Sequence, residues 1–395
     1  MPTYRILSLD GGGSWAIIQV KALIRIYSAS TTGHEVLSTF DLAAANSGGS
    51  IVLGCLLADF TLGEIYDFFN SQVERQTIFS KTRSVEDTLL RTLLGSGPKY
   101  SATDKLPAIR QVLKQTGDMI LADAVRGIRR TGSSNDLHAL IVGFNYDRNR
   151  ATFFRSEPVS SPSWGTGDTT NVTLAEAIHA SSNAPVNYFD APTEFPGHSG
   201  RYWDGAISGC NNPVHTAVTE AIGLGQDALN IAALSLGTAS VALPSTDPAQ
   251  PPFTQPLSPT GFPHDLAKLA GAIVDDPPDF ATFLAHVLTA SGAGLTPPQP
   301  NSRLVRMNPL ISPVLGPDGN LTAPGSMTPD DFQALANLDM DAILQPQVDS
   351  ITAYADLWLS DQAPNQPIRM DSATLTPELG QSTFSAALAA WESIR

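Results

Sequence analysis

One stretch constrains this chain more than any other: Leu42-Ala43-Ala44-Ala45-Asn46-Ser47-Gly48-Gly49-Ser50-Ile51-Val52-Leu53-Gly54, an apolar run, a sharp polar break, then a small-residue and apolar run again. The pattern predicts strand, elbow and helix, with Ser47 at the tip. A serine at such a turn holds its hydroxyl out of the sheet, and Gly48 and Gly49 let the following helix pack close behind it. The helix N-terminus directs backbone N–H groups toward negative charge developing nearby. Small-residue turns before helices are common, however, and Ala45 stands where the short elbow pattern usually has glycine. The elbow alone therefore does not separate a nucleophile from a packing turn.

A similar unit opens the chain. Tyr4 to Leu9 has the pattern of a short buried strand, Asp10-Gly11-Gly12-Gly13-Ser14 ends it, and Trp15 to Ala29 carries Ile17, Ile18, Ala22, Leu23 and Ile26 at helical spacing. Three consecutive glycines leave backbone N–H groups uncovered, so they can converge on an anion or on a developing oxyanion. A phosphate loop is the competing reading, but no Gly-Lys-Ser/Thr follows and the spacing is not a dinucleotide fingerprint.

Further along, Thr61 with Glu64, and Thr173 with Glu176, are spaced as capping boxes opening helices. A helix is expected from Asp104 to Gln115, with Leu106, Ile109, Val112 and Leu113 on one side, while Ser80 to Tyr100 is mixed. Leu137 to Phe144 and Ala151 to Arg155 alternate like the strands of a hairpin. Tyr202-Trp203-Asp204-Gly205-Ala206 leads a strand into an acidic turn, and Asn230 to Leu236 is another buried strand. Residues 243–263 shift to Pro, Ser, Thr and Gln and are expected to be a loop or linker. Beyond it, Asp265 to Val274, Asp279 to Ala290, a helix starting at Thr328-Pro329, Val348 to Leu359 and Thr383 to Trp391 are expected helices, with a proline-rich break at Thr296 to Pro300 and a strand over Arg303 to Met307. The expected domains are thus a catalytic core over 1–242, the linker, and a mainly helical extension or lid over 264–395.

Composition narrows the function classes. The 395 residues carry a formal charge of -15, which disfavours nucleic acid and polybasic docking on anionic membranes. The densest basic region, Arg126, Arg129, Arg130, Arg148, Arg150 and Arg155, is read either as a solvated face or as a headgroup contact. Cys55 and Cys210 form no disulfide framework and match no zinc spacing, and Cys55 fits a buried small hydrophobe. Met1 to Ile6 enters a strand pattern without a secretory leader, and no run approaches membrane-spanning length. A soluble, cytoplasmic protein is expected, with export without a cleaved signal as the alternative.

The triglycine loop, the serine elbow and the Asp204-Gly205 turn have a joint explanation in acyl transfer. Ser47 would attack a carbonyl, Asp204 would accept its proton, and the N–H groups of Gly11, Gly12 and Gly13 would stabilise the oxyanion. A carboxylate is a weaker base than imidazole, so its site must raise its basicity. The ordered set Asp10-Gly11-Gly12-Gly13, Ala45-Asn46-Ser47-Gly48-Gly49 and Asp204-Gly205-Ala206 resembles the patatin-like phospholipase family. Ala180-Ser181-Ser182-Asn183-Ala184-Pro185 through Tyr188-Phe189, and Leu234-Ser235-Leu236-Gly237-Thr238, look similar as well. The resemblance covers roughly residues 4 to 240. It implies a three-layer α/β/α sandwich of the patatin type with a mainly parallel sheet, a Ser-Asp dyad, and lipid acyl hydrolysis without a metal or cofactor. Implied partners are a lipid or ester substrate and peripheral contact with a membrane or lipid aggregate.

Two departures bear on substrate. Trp15 and Ala16 replace the Arg and Gly that usually continue the family's glycine loop, which removes a positive charge available to a phosphate, and Ala45 adds a methyl at the elbow. A carboxylesterase or thioesterase with the same dyad, and a catalytically silent lipid-binding protein of this fold, are the alternatives. A Ser-His-Asp triad is the mechanistic rival. His179 and His215 lie near the motifs, but neither occupies a recognisable triad position.

Overall fold

The computed structural model describes residues 3–78, 99–157, 171–185, 188–198, 200–244, 277–290, 303–371 and 376–395, with 253–255, 260–261, 268 and 272. The expected mixed stretch from Ser80 to Tyr100, most of the linker, the helix expected over Asp265 to Val274 and the break at Thr296 to Pro300 lie largely or wholly outside the described residues.

Short apolar runs with little alternation suit a parallel sheet covered on both faces. Such runs form β1 (Tyr4–Leu9), β2 (Leu42–Ala45), β3 (His138–Asn145) and β7 (Ile231–Leu236), and every residue of β2 and β7 is buried. β4 (Arg150–Arg155), β5 (Thr193–Glu194) and β6 (Arg201–Asp204) join them antiparallel. After β8 (Ser240–Val241), which pairs outside this sheet, β9 (Leu304–Met307) adds a last parallel strand beside β7. Among the described residues the order is β5-β6-β3-β2-β1-β7-β9, with β4 on β3. The sheet does not end with residue 242, since β9 continues it.

Alternate residues divide the core into two layers, as the pleat requires. Leu7, Leu9, Ala43, Ala45, Leu234 and Leu236 face the helices Ile17–Ile26, Ser47–Leu57 and Gln345–Leu359, while Ile6, Leu42, Ala44, Ile231 and Ala233 face Val214–Gly223 and Pro277–Thr289. Helices on both faces of a mainly parallel sheet make the expected three-layer sandwich. The C-terminal helices close the first layer. Trp358 and Trp391 are fully covered, and Trp391 stacks on Phe40 at 5.9 Å between ring centroids. Each ring removes about 200 Å² from water, an upper estimate of about 5 kcal/mol.

The capping boxes form at Thr61 and Thr173, and a third, Thr32 with Glu35, opens Gly33–Leu37. The first helix departs from expectation. Residues Gly13–Ala16 make a 3₁₀ turn, and the α-helix proper runs Ile17–Ile26.

One feature of the topology positions the site. Along one edge β4 pairs with β3 from Leu140 to Asn145, so the other edge is shared by β2, opposite His138 to Ile141, and β6, opposite Gly143 to Asn145. β6 takes over where β2 ends. Ala45 pairs with Ile141 and Asp204 with Gly143, so Asp204 enters roughly two strand residues, or about 7 Å, beyond the end of β2. Residues Asn46 and Ser47 turn off the sheet at that gap.

Candidate active site

The elbow has the geometry its residues predict. Asn46 is extended, and Ser47, the first residue of Ser47–Leu57, has φ of 48°. A non-glycine residue there stores on the order of 1–3 kcal/mol of backbone strain. A Cβ at Gly48 would lie 2.5 Å from the Gly13 carbonyl oxygen, and one at Gly49 would lie 2.5 Å from that of Leu9. Both glycines are therefore required for the helix to start under the glycine loop. Ala45 is a fully buried strand residue outside the left-handed region, so its methyl imposes no strain on the elbow.

The glycine loop is held at several points. Asp10 N–H donates to Leu236 O, Gln19 Nε2 donates to Asp10 O at 2.8 Å, and Thr238 Oγ1 donates to Gly11 O at 2.6 Å. Arg306 of β9 donates through Nη2 to Asp10 Oδ2 at 2.7 Å and through Nη1 to Ser235 Oγ at 2.8 Å. Burial pushes the Asp10 carboxyl up to about 6, against the pull of Arg306. Of the three expected oxyanion donors, Gly11 is already committed, because its N–H donates to Asn211 O at 2.8 Å. Gly12 and Gly13, at φ of 155° and 56°, have no backbone acceptor for their N–H groups among the described residues.

Asp204 is buried at the start of the Gly205–Ser208 turn. Its Oδ1 accepts from Ala206 N–H at 2.9 Å and from Asn46 Nδ2 at 3.2 Å. Burial raises its pKa; hydrogen bonds from Ala206, Ser47 and Asn46 and the charge of Lys105 oppose the rise. The chain thus brings Ser47 and Asp204 together across 157 positions.

Three connecting groups were not singled out from sequence. Asn46 leaves its helix uncapped and turns its side chain between Asp204, Asn211 and the Ser181 hydroxyl. Ser181 Oγ accepts the Ser47 N–H at 2.9 Å. Lys105, 1% exposed, donates from Nζ to Ser182 O, and burial pushes its pKa down to about 7. Its signal was periodic, since Lys105 shares the buried stripe of Ala102–Gly117 with Ala102, Ala108, Ile109 and Leu113.

Gly13, Ser47, Gly48, Ile51, Lys105 and Met340 are among the residues that line a cavity of about 20 Å³ at the nucleophile, room for about one water. A larger cavity of about 450 Å³ lies on the Asp10, Gly11 and Gly12 side and shares Met340 with the first. Residues 339–341 border both, Asp339 and Met340 lining the larger and Met340 and Asp341 the smaller. Met340 O accepts the Ser14 N–H, Asp339 O accepts from Trp15 Nε1 at 3.1 Å, and Asp341 Oδ2 accepts from Tyr100 Oη at 2.6 Å and Lys99 Nζ at 2.9 Å.

None of the described histidines hydrogen-bonds to Ser47 or Asp204. His179 is buried with Nδ1 unpartnered and its pKa pushed well down, first by burial, and His138 is held by Glu220 and Ser156. Four arginines of the basic region have carboxylate partners within the chain: Arg126 with Asp123, Arg129 with Asp136, Arg130 with Asp41 and Arg155 with Glu220. Cys55 is buried, and burial pushes its thiol up to about 12. Among the described residues no group of three or more His, Cys, Asp or Glu is placed to hold a metal ion, and no helix is long and apolar enough to cross a membrane.

A family model described as patatin-like phospholipase matches residues 7–218. No curated protein matches the sequence. Among solved structures, VipD from Legionella pneumophila is similar with a TM-score of 0.39 and 10% identity, over 90% of this chain and 67% of VipD. The type III effector protein ExoU gives 0.26 and 12%, over 90% and 54%, and human GIVD cytosolic phospholipase A2 gives 0.24 and 15%, over 39% and 22%. The family model spans more than half of the 395 residues and contains the glycine loop, the serine elbow and the Asp204 turn: the chain belongs to the patatin-like phospholipase family.

Proposed function

We propose that the protein hydrolyses carboxylic ester bonds of lipids through an acyl-Ser47 intermediate, with Asp204 as the base. The observation that carries this reading is the pairing of a strained serine at a helix N-terminus with a buried carboxylate, Asp204, which accepts from the side chain of the adjacent Asn46 and whose pKa Ser47 helps to hold down. Ser47 Oγ attacks the ester carbonyl carbon as its proton passes to Asp204. The resulting oxyanion takes the N–H groups of Gly12 and Gly13, with the dipole of Ser47–Leu57 behind it. Collapse expels the alcohol, which leaves with the proton from Asp204. Water then attacks acyl-Ser47, giving its proton to Asp204, and as the second tetrahedral intermediate collapses Asp204 returns that proton to Ser47 Oγ and the carboxylic acid leaves.

Asp204 suits this work because burial makes it a stronger base than an exposed carboxylate, while its neutral hydrogen-bond donors keep it from being neutralised outright. The border formed by residues 339–341 belongs to the same proposal, with the C-terminal extension in the role of lid. The cavity at Ser47 holds about one water, so an acyl chain enters only when residues lining it, Met340 among them, move. That tight cavity also favours a second reading, an esterase for short soluble acyl groups that needs no lipid surface.

The test is labelling by a fluorophosphonate together with hydrolysis of a short soluble ester and of dispersed phospholipid. Tagging at Ser47 with faster phospholipid turnover supports lipid hydrolysis, and tagging with short-ester turnover alone supports the esterase. An untagged protein that hydrolyses neither, with an intact fold, would be a silent member of the family.

A further inference from the structure

Lys105 stands where a lysine is expensive. Its ammonium is buried in the cavity that holds Ser47, lies 4.1 Å from the Phe189 ring centroid, and makes no ion pair among the described residues. A buried ammonium without a close counter-charge costs several kcal/mol, a penalty that a methionine of similar size would not carry. A lysine has three N–H donors, and Ser182 O takes one.

The residues that dock it also dock the rest of the site. In the run Ser181-Ser182-Asn183, Ser181 Oγ accepts the Ser47 N–H, Ser182 O accepts from Lys105 Nζ, and Asn183 O accepts the Asp204 N–H at 3.0 Å. One tripeptide therefore fixes nucleophile, lysine and base relative to one another. The titratable surroundings of Lys105 are Asp204, which favours its charged form, His179 on Leu174–Ser181, whose protonation it opposes, Asp341 and Tyr188 across the cavity, and Asp190, which accepts the Ala102 N–H.

We infer that Lys105 is a positioning residue for the base: held off the carboxylate by Ser182 O, its charge keeps Asp204 ionised beside Ser47 without an ion pair that would occupy the oxygens needed for the serine proton. This rests on the Ser47–Asp204 reading above. Removing the charge leaves the burial of Asp204 less opposed, so its carboxyl protonates at higher pH and the acid limb of kcat/KM moves upward. Wild type and neutral variant converge on the alkaline side, where Lys105 has itself lost its proton.

The experiment compares wild type, Lys105→Met and Lys105→Arg on an uncharged p-nitrophenyl ester across the pH range. In Lys105→Met the limb is expected to rise by about one pH unit, a roughly tenfold loss of kcat/KM on the acid side, carried by kcat with KM within about twofold, and Lys105→Arg restores it. Lys105→Gln serves as the neutral variant if Lys105→Met does not fold. Infrared titration of the Asp204 carboxyl in a Ser47→Ala background, with Asp204→Asn as blank, reads the same shift without turnover. An unmoved limb or an unmoved carboxyl titration overturns the inference. So does a loss confined to anionic phospholipid, which would make Lys105 a headgroup contact. If wild type hydrolyses no ester, the dyad reading fails, and the infrared titration still decides whether Lys105 holds Asp204 ionised.

Discussion

Two aspartates end strands of this sheet, each followed by glycine, each buried, and each pushed toward protonation by that burial, yet they are handled in opposite ways. Asp10 meets Arg306 in a direct ion pair that is tied onward to Ser235. Asp204 accepts from an amide N–H and from Asn46, while Lys105, the cation whose charge acts on it, donates to a backbone carbonyl. The difference separates holding from reacting. A carboxylate locked to a guanidinium fixes the glycine loop and has an oxygen committed to that partner, whereas one held by neutral donors is free of an ion pair beside the nucleophile.

The largest effect that sharpens this contrast is catalytic. Ser47→Ala and Asp204→Asn are each expected to lower kcat/KM by on the order of 10⁴ or more, with the double variant little worse than either single one, because the two act as a unit. Both should unfold near the wild-type temperature, since neither removes an ion pair. Steady-state kinetics and thermal unfolding of the three variants check this. A double variant whose losses add would break the dyad.

Arg306→Met should show the inverse pattern. It strands Asp10 in the interior, at a cost of about 3–5 kcal/mol in urea unfolding, and lowers activity only as far as the loop loosens. The pH dependence has a definite sign. The Asp10 pKa is about 6 in the folded chain and lower when unfolded, so the folded state binds the extra proton. Its contribution to stability is therefore present at low pH, is lost as pH rises toward 6, and is flat above. In Arg306→Met the Asp10 pKa moves higher and the loss extends to higher pH. Unfolding free energies measured between about pH 4 and 8 test this, and a slope of the opposite sign would refute the buried assignment of Asp10.

Gly48→Ala should fall between these. The new Cβ would sit 2.5 Å from Gly13 O and 2.8 Å from Gly13 N, both backbone atoms with little freedom to move. Elbow and oxyanion loop must separate, so kcat is expected to fall by about 10² while stability falls by about 1–3 kcal/mol. A variant that lost stability but kept kcat would show that the loop does not support the oxyanion.

What was legible in the sequence follows the range of the interactions concerned. Glycine loop, elbow and acidic turn were visible because each is encoded within about five residues, and the Thr61 and Thr173 helix starts because a capping box is local. Val214–Gly223 was missed: its N-cap is Pro213 with no side-chain cap, and Val214, Thr216, Val218 and Thr219 are β-branched, so local signals argue against the helix that packing on the sheet imposes. Arg306 could not be found at all, because its partner lies 296 residues away and only the β7–β9 register brings them together. Lys105 was half visible, a cation on an apolar stripe whose burial no periodicity declares. That Asp204 reaches Ser47 depends on β6 continuing the edge of β3 that β2 leaves free, a fact of topology rather than of motif.

The smallest expected effect concerns Ala45, the one position where the elbow departs from its usual form. Ala45 is wholly buried, pairs with Leu9 and Ile141, and does not have positive φ, so the strand needs no glycine there. Ala45→Gly should cost about 0.5–1 kcal/mol through backbone entropy, with a small further loss of packing, and should leave kcat/KM within about twofold. The strain at the elbow is confined to Ser47, and the close approaches belong to Gly48 and Gly49, one position beyond the substitution. A gain of tenfold or more in Ala45→Gly would mean that the extra methyl displaces Ser47 from Asp204, and the contrast between a locked and a working aspartate would then understate how far the working one is from its best geometry.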